Sequence, residues 1–374
     1  MEQNRHSDLI VVGAGIVGLA HAYEAHRQGL SVRIIERDAR PNGASIRNFG
    51  HCCITAQGQE WLDVAYRSRE GWISAAKDVG FWAPEAGALV VARTQAELAV
   101  VEQFAAARGS EAAQLLSAPE LVARLGREGQ ADPSIVGGAF LPADLRVDPR
   151  VTAPSIADWL QAQDGVEIEW RTTVGHVADG VVSTSRGEFT ASDVFVCVNH
   201  DMDYLYPDLA DRWQVRRCAL QMALASPVDG YTLESAVLTG TSLTRYDGFG
   251  EQPGIAAVHA ELAAQAPELV DMGANVMFTR RPDGTVILGD SHVYGPTIAP
   301  FTDEWVTDGL VGEIGKVIGT DFNVVQRWQG IYASSPLTNV VDERVDDRTR
   351  VISVTSGIGM TLSFGLAARS FALV

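Results

Sequence analysis

The hydrophobic pattern of residues 8–37 predicts a strand, a helix and a second strand in succession. Residues 9–12 form an apolar run with β-branched members, which is typical of a strand buried on both faces. Residues 19–28 are predicted to form a helix, and residues 31–35 a second buried strand whose carboxyl end is followed by Glu36. A βαβ crossover requires about 30 residues. The pattern therefore predicts two parallel strands joined by a helix.

Three glycines lie between the first strand and the helix at G-x-G-x-x-G spacing, namely Gly13, Gly15 and Gly18. In a dinucleotide site the first permits a tight turn, the second lets the backbone approach a pyrophosphate, and the third lets the helix pack on the sheet. The helix N-terminus favours an anion. Glu36 is placed to accept hydrogen bonds from ribose hydroxyls, and its charge would repel a 2′-phosphate. We therefore predict a dinucleotide site, the alternative being an ordinary glycine-rich turn.

The same kind of patterning predicts further helices and strands along the chain. The predicted helices cover residues 61–79, 95–108, 119–125, 152–163 and 304–318, and a last helix follows residue 356. The predicted strands cover residues 88–92, 166–174, 181–184, 188–190, 193–198, 277–279, 286–288, 326–332 and 351–355. Ser117 and Glu120 are spaced as a capping box for the helix that follows them.

Two further segments carry polar residues or glycines where strands end. The loop of residues 38–60 contains Ser45, Arg47 and Asn48, and it begins at the carboxyl end of the predicted sheet, where open α/β folds bind ligands. Residues 356–361 form a second glycine-rich turn that opens the last helix. Its N–H groups could cap a ribityl chain or the carbonyl edge of a flavin ring. The alternative is a turn that serves only helix packing.

Composition excludes several classes of partner. The net charge of −18, from 29 basic and 47 acidic residues, gives no support for binding nucleic acid or an anionic membrane. No apolar run reaches membrane-spanning length, and residues 1–8 lack the layout of a signal peptide, so we expect a cytoplasmic protein. The four cysteines show no C-x-x-C spacing, which predicts neither a metal site nor a disulfide framework. A length of 374 residues favours two joined domains.

With these motifs the chain resembles, over essentially its full length, the D-amino-acid oxidase, glycine oxidase and sarcosine oxidase family of FAD enzymes. The segments that carry the resemblance are VVGAGIVG with Glu36, the NGASIRNFGH loop, Val147-Asp148-Pro149, TTV at 172–174, WQG at 328–330 and SGIGMTLS at 356–363. The ASIRNFG and WQGIY segments further resemble the branch of the family that is associated with phosphonate utilisation.

The resemblance implies an α/β fold with a discontinuous Rossmann-like FAD-binding domain and a second α+β substrate domain on a mixed or antiparallel sheet. We expect the FAD-binding domain to comprise residues 1–80, 147–204 and 326–374, and the substrate domain residues 81–146 and 205–325. Carried over by motif, the residues expected to contact FAD are Gly13, Gly15, Gly18, Glu36, Arg37, Ser45, Arg47, Asn48, Val174, Gly357, Gly359, Met360 and Thr361.

Three departures from the family pattern bear on the chemistry. Amino-acid-oxidising members often carry W-x-G-x-R, whose arginine clamps the substrate carboxylate, and here that position is Tyr332. Residues 277–295 contain no lysine of the kind that activates oxygen in sarcosine-oxidase-like members, so either oxygen or another electron acceptor is possible. No cysteine lies near WQGIY, which predicts non-covalent FAD.

The resemblance implies oxidation of a C–N bond in a small amine, with hydride transfer to the flavin and hydrolysis of the imine. We expect His292, Tyr332 and His51 to face the substrate. An anionic head group such as a phosphonate would require arginines, for which Arg47, Arg245, Arg280 and Arg281 are candidates. The alternatives are an amino-acid or sarcosine-type enzyme, a nicotinamide-dependent dehydrogenase, and a flavin-binding protein without turnover.

Overall fold

The computed structural model describes residues 5–372, in which strands and helices alternate along the chain. The strands are β1 (His6–Val12), β2 (Val32–Ile35), β3 (His51–Cys52), β4 (Ala88–Ala92), β5 (Gln114–Ser117), β6 (Gly137–Leu141), β7 (Leu145–Arg146), β8 (Val166–Glu169), β9 (Val174–Ala178), β10 (Val181–Thr184), β11 (Gly187–Val196), β12 (Arg216–Pro227), β13 (Ala236–Leu238), β14 (Met277–Arg280), β15 (Val286–Gly289), β16 (Val293–Gly295), β17 (Phe322–Ser334), β18 (Val340–Arg344) and β19 (Thr349–Val354).

The α-helices are α1 (Ile16–Arg27), α2 (Leu62–Val79), α3 (Gln95–Arg108), α4 (Ala118–Leu125), α5 (Pro149–Gln161), α6 (Met202–Leu205), α7 (Pro207–Arg212), α8 (Gly240–Leu243), α9 (Asp247–Gly250), α10 (Ile255–Gln265), α11 (Pro267–Asp271), α12 (Glu304–Ile318) and α13 (Gly359–Ala372). The predicted capping box is present, because Ser117 and Glu120 bond reciprocally at the start of α4. None of the helices in the described part of the chain is both long and apolar enough to cross a bilayer.

The first sheet is largely parallel and has the strand order β18-β19-β11-β1-β2-β8. β1 pairs in parallel with β2 on one side and β11 on the other, and all four residues of β2 are buried, which confirms the second buried strand that was predicted. Helices α1, α2 and α13 pack together against this sheet. The Trp72 indole of α2 is fully buried and donates to the Met360 carbonyl at 2.8 Å, which joins α2 to the start of α13.

The second sheet is mostly antiparallel, with the order β16-β12-β15-β14-β13-β4-β6-β5 and β17 paired along β12. The buried face of α12 packs against it through Leu310, Ile314 and Val317. These two sheets give the α/β fold class that the sequence predicted. The domain boundaries remain a prediction. β17 begins before residue 326, where that prediction divides the domains, and pairs with β12 in the second sheet.

Two strand predictions were wrong. Residues 166–174 do not form one strand, because β8 ends at Glu169 and β9 begins at Val174. Between them Arg171 has a φ of 54° and donates its N–H to the Asp38 carbonyl at 3.0 Å, so the chain turns over the end of β2. Conversely, residues 188–190 and 193–198 were predicted as separate strands, whereas β11 is continuous since it pairs first with β10 and then with β1.

Candidate active site and cofactor cleft

A cleft lies at the carboxyl ends of the parallel strands and consists of two adjoining cavities. We call them the Glu36 cavity and the Tyr332 cavity, each after one of the residues that line it. Both are lined in part by Gly15, Ala44, Ser45, Cys197 and Asn199. The shared lining makes one elongated cleft, and its position is the one at which open α/β sheets bind nucleotides.

The first glycine turn forms one wall of the Glu36 cavity. Gly13 has a φ of +102°, and a Cβ there would lie 2.6 Å from the Cys197 carbonyl oxygen. A Cβ on Gly18 would lie 2.1 Å from the Gly13 carbonyl oxygen, so this glycine lets α1 pack under the turn instead of lining the cleft. The Ile16 N–H, at the start of α1, donates to Ser45 Oγ at 2.8 Å. The turn therefore brings backbone to the cleft surface where side chains would not fit.

Glu36 lies at the carboxyl end of β2, as predicted, and lines the cavity named after it. Its carboxylate accepts the Ala14 N–H at 2.8 Å and the Asp38 N–H at 2.9 Å. Burial raises the pKa of Glu36, and these two bonds oppose the increase. Val174 and Arg37 line the same cavity, with Arg37 paired to an aspartate at 2.5 Å.

The second glycine turn lines the Tyr332 cavity. Gly357 has a φ of +80°, and a Cβ there would lie 3.0 Å from Cζ of Tyr332. The first intrahelical bond of α13 runs from the Leu362 N–H to the Ile358 carbonyl at 3.0 Å, so the preceding amides have no partner within the helix. Gly359 and Met360 also line the cavity. The two glycine turns thus face one continuous cleft.

Thr361 and His51 line neither cavity. Thr361 is buried, and its Oγ1 accepts the Cys53 N–H at 3.0 Å. The Nε2 of His51 lies 2.9 Å from Oδ2 of Asp144, and Oδ1 of the same carboxylate accepts the N–H and the hydroxyl of Thr55. This buried network connects β3 to the segment before β7. His51 is therefore placed away from the cleft, while Tyr332 and His292 both line it.

His292 is held as a neutral imidazole. Burial, and secondly the charge of Arg245, lowers the pKa of His292 to about 3. Its Nδ1 lies 2.8 Å from the Gly273 carbonyl, an acceptor that requires the hydrogen on this nitrogen. Tyr332 lies opposite Cys218 on the paired strands β17 and β12, and burial raises the pKa of its phenol. Neither group carries a charge near neutral pH, so neither supplies a cation for an anionic ligand.

Two of the four candidate arginines line the Tyr332 cavity. Arg47 donates to the Gln329 carbonyl at 3.4 Å, and Arg245 donates to the Tyr294 hydroxyl at 2.8 Å. Within residues 5–372, neither has a carboxylate oxygen within 4.0 Å. Arg280 and Arg281 line neither cavity and are paired with Glu234 and Asp148 instead.

Several cavity residues were not proposed from the sequence as site residues, among them Asn199, Tyr246, Asn275 and Asp290. Asp290 directly follows β15 and Asn199 follows β11, so the end-of-strand signal that identified Glu36 was present for both. The side chain of Asn199 accepts the Ala333 N–H at 2.6 Å and joins β17 to the end of β11. That contact connects the strand that carries Tyr332 to the end of a strand of the first sheet.

The fold resembles those of several solved flavoenzymes at low sequence identity. Glycine oxidase from Geobacillus kaustophilus is 17% identical, with a TM-score of 0.77 and coverage of 98% of this chain and 94% of that one. L-proline dehydrogenase from P. horikoshii is 18% identical, with a TM-score of 0.75 and coverage of 97% and 91%. Iminodiacetate oxidase from Chelativorans sp. BNC1 is 17% identical, with a TM-score of 0.75 and coverage of 96% and 93%.

A search among curated proteins finds no sequence match. The family profile described as DAO, FAD dependent oxidoreductase, matches residues 8–371, which is nearly the whole chain. Its cofactor fits the cleft, because both glycine turns present backbone to it and Glu36, at the carboxyl end of β2, has the position of the acidic residue that binds a ribose in dinucleotide sites. The chain therefore belongs to the DAO family of FAD-dependent oxidoreductases.

Proposed function

We propose that the protein oxidises a C–N bond in a small amine that also carries an anionic group, specifically an aminophosphonate or an N-methylated aminophosphonate. The observation that supports this most directly is Arg245, a partly buried guanidinium in the Tyr332 cavity with no carboxylate within 4.0 Å in the described chain. A guanidinium withdrawn from water requires an anionic partner, and phosphonate oxygens accept its paired N–H groups.

Arg47 supports a doubly charged head group over a singly charged one. It lines the same cavity and likewise has no carboxylate within 4.0 Å among residues 5–372. Two guanidinium groups match the charge of a phosphonate dianion better than that of a carboxylate. They also replace the cation that is missing at position 332, where this chain has a tyrosine and amino-acid-oxidising relatives often carry an arginine.

FAD, when bound, supplies the oxidising chemistry by accepting a hydride from the carbon next to the amine nitrogen. The chain's own residues would bind and orient the substrate and keep water from the reacting carbon. Phe49 and Leu220 are buried side chains on the cavity wall, and they provide the apolar surface that excludes water. The names of three structural neighbours contain glycine, proline and iminodiacetate. Each of these compounds is a small amine that also carries a carboxylate, which is consistent with this substrate class.

Anaerobic loss of flavin absorbance tests the proposal without presuming the electron acceptor. Matched pairs of amines should be compared: 2-aminoethylphosphonate and its N-methyl derivative against β-alanine and N-methyl-β-alanine, with glycine and sarcosine included. We expect the phosphonates to bleach the flavin at concentrations about tenfold lower than the carboxylates. Faster bleaching by the carboxylates would favour the amino-acid alternative, and no bleaching by any amine would contradict the proposal. Admitting air afterwards tests oxygen as the acceptor.

Arg245→Gln, compared with Arg280→Gln, tests the anion-binding role directly. Loss of a charged hydrogen-bond donor should raise the 2-aminoethylphosphonate concentration for half-maximal bleaching by about 10- to 100-fold. Arg280 lies outside both cavities, so its substitution should change that concentration less than about threefold. Equal effects of the two substitutions would show that Arg245 does not bind the head group.

A further inference from the structure

We propose that Asp290 binds the amino nitrogen of the substrate and accepts its proton before the C–H bond breaks, an inference that rests on the proposed function. Asp290 directly follows β15 and lines the Tyr332 cavity. The residue is 4% exposed, and its Oδ1 is a buried oxygen without a hydrogen-bond partner in the described chain. A buried carboxylate oxygen in this condition requires a donor, which a substrate ammonium would supply.

Among the described residues, the neighbouring ionisable groups do not supply a donor to Oδ1. The ionisable groups that face Asp290 are Arg245, His292, Tyr246 and Cys218. The Nδ1 of His292 is 4.0 Å from Oδ1, and its hydrogen is directed to the Gly273 carbonyl. Arg245 has no carboxylate oxygen within 4.0 Å among residues 5–372 and donates to Tyr294 instead. The Oδ1 atom therefore has no donor among the described residues, and Asp290 is one of the residues that line the cavity.

The surrounding polar groups hold Asp290 in a fixed position. Its backbone N–H and carbonyl pair with those of Asn275, both at 2.8 Å. The Asn275 side-chain oxygen accepts the Ser242 hydroxyl at 2.7 Å, which leaves the amide N–H groups to donate towards the Asp290 carboxyl. The backbone pairing does not depend on the carboxyl, so Asp290→Asn should preserve the local fold.

The charges in the cavity match those of a zwitterion. Arg245 and Arg47 are cationic groups for the phosphonate, and Asp290 is the anionic group for the ammonium. A complementary charge at each end of the substrate would fix its orientation as well as its affinity.

The proton step conserves charge and electrons. An N–H bond of the ammonium breaks, an O–H bond forms on the Asp290 carboxylate, and the nitrogen keeps the electron pair that it needs when hydride leaves the neighbouring carbon. No electrons leave the substrate in this step, since the family's FAD chemistry supplies the oxidant afterwards. Burial raises the pKa of Asp290 to about 7, which brings it nearer to the value of about 10 typical of an alkylammonium.

Holoenzyme with Asp290→Asn tests the inference, with Asp271→Asn as a control on an exposed carboxyl of α11 outside both cavities. Stopped-flow bleaching by 2-aminoethylphosphonate gives an apparent affinity and a limiting rate. Perturbation of the flavin spectrum gives the affinity for ethylphosphonate, which lacks the amine. We expect D290N to weaken the aminophosphonate by about 30-fold or more and to bind ethylphosphonate no more weakly than the wild type. D271N should change neither value.

The pH dependence separates proton acceptance from packing. The wild-type to D290N ratio of bleaching efficiency cancels the ionisation of the phosphonate itself, and it should rise with pH through about 7 as Asp290 ionises. A pH-independent ratio near one, or an equal loss of ethylphosphonate affinity, would overturn the inference while leaving the proposed function intact. Absence of bleaching in the wild type with every amine would overturn both.

Asp290→Glu keeps the test decisive if D290N does not retain FAD. A glutamate retains the carboxylate, so proton acceptance predicts at least about a tenth of the wild-type limiting rate and a pH-dependent limb. A role in packing predicts the reverse, because the additional methylene in a buried position would impair the larger variant more than the near-isosteric asparagine.

Discussion

The two halves of the cleft are built in different ways. The Glu36 cavity is lined mainly by residues of one βαβ unit and the loop that follows it, with contributions from 172–174 and 197–205. The Tyr332 cavity is lined by residues from separate segments between positions 15 and 360, including three strands of the second sheet or their ends. The residues predicted to hold the cofactor's nucleotide end are therefore close together along the chain, whereas the Tyr332 half is assembled from distant segments by the tertiary structure.

The two halves also differ in how completely their charged side chains are paired with hydrogen-bonding or oppositely charged groups. In the Glu36 cavity the carboxylate of Glu36 accepts two backbone N–H groups, and Arg37 is paired with Asp201. In the Tyr332 cavity Arg245 has no carboxylate within 4.0 Å and Asp290 Oδ1 has no partner, among residues 5–372. Unsatisfied buried charge therefore concentrates where a variable ligand, the substrate, would bind.

Gly13→Ala should have the largest effect and tests whether the Glu36 half depends on backbone geometry. The new Cβ would meet the Cys197 carbonyl oxygen at 2.6 Å, at a positive φ of +102°. Strain and overlap together should lower the free energy of unfolding by about 2 to 4 kcal/mol and abolish FAD retention, as measured by denaturant unfolding and the flavin-to-protein absorbance ratio. Gly43→Ala is the control, because Gly43 lines the same cavity and a Cβ there meets no atom of the described residues within 4 Å.

Asp290→Asn tests how much the buried Asp290 carboxylate of the Tyr332 half lowers the free energy of unfolding near neutral pH. Burial raises the pKa of Asp290 from 3.8 to about 7, so the folded protein holds this proton more tightly than the unfolded chain does. The resulting stability is complete below pH 4 and is lost as the pH rises to about 7. Relative to D290N, the wild type should lose about 2 to 4 kcal/mol of unfolding free energy between pH 4 and pH 8. Urea unfolding of both proteins across this range would contradict the prediction if their difference stayed constant.

The sequence was sufficient for the Glu36 half because its determinants are close together along the chain. The spacing of Gly13, Gly15 and Gly18 and the position of Glu36 follow from one strand–helix–strand unit, and short-range patterning identifies such units. Of these four residues, all but Gly18 line the cavity, and Gly18 has the packing role that its place in the motif predicts.

The Tyr332 half could not be assembled from the sequence because strand pairing is decided by tertiary contacts. Tyr332 lies opposite Cys218 only through the register of β17 on β12, and Asp290 enters the cavity through the pairing of β15 with β12. Apolar runs predict that such strands exist but not which neighbours they take. The same limit explains the division of residues 166–174, where the break depends on contacts with the end of β2.

Glu36→Gln should have a smaller effect than the two substitutions above and should be confined to cofactor affinity. The amide keeps one acceptor oxygen but loses the charge that strengthens hydrogen bonds to ribose hydroxyls, so FAD should dissociate about 10-fold more readily. The limiting rate of anaerobic bleaching, measured at saturating FAD, should be unchanged because Glu36 does not line the Tyr332 cavity. Glu304→Gln is the matched control, since the Glu304 side chain is 71% exposed and lines neither cavity, so it should change FAD affinity less than about threefold. A fall in the limiting rate for E36Q would contradict the prediction that the Glu36 half affects only cofactor affinity.

Substitution of His51 should have the smallest effect on chemistry, because this histidine lines neither cavity. Its Nε2 and the Asp144 carboxylate are 2.9 Å apart in a buried network, so His51→Ala removes a partner from a buried carboxyl. We expect H51A to lower the free energy of unfolding by about 1 to 3 kcal/mol, and H51Q to recover part of that loss because its amide can still donate. Both variants should keep a limiting bleaching rate within about twofold of the wild type when they retain FAD. A large loss of rate in stable, FAD-loaded H51Q would instead mean that the reacting centre extends beyond the cleft towards β3.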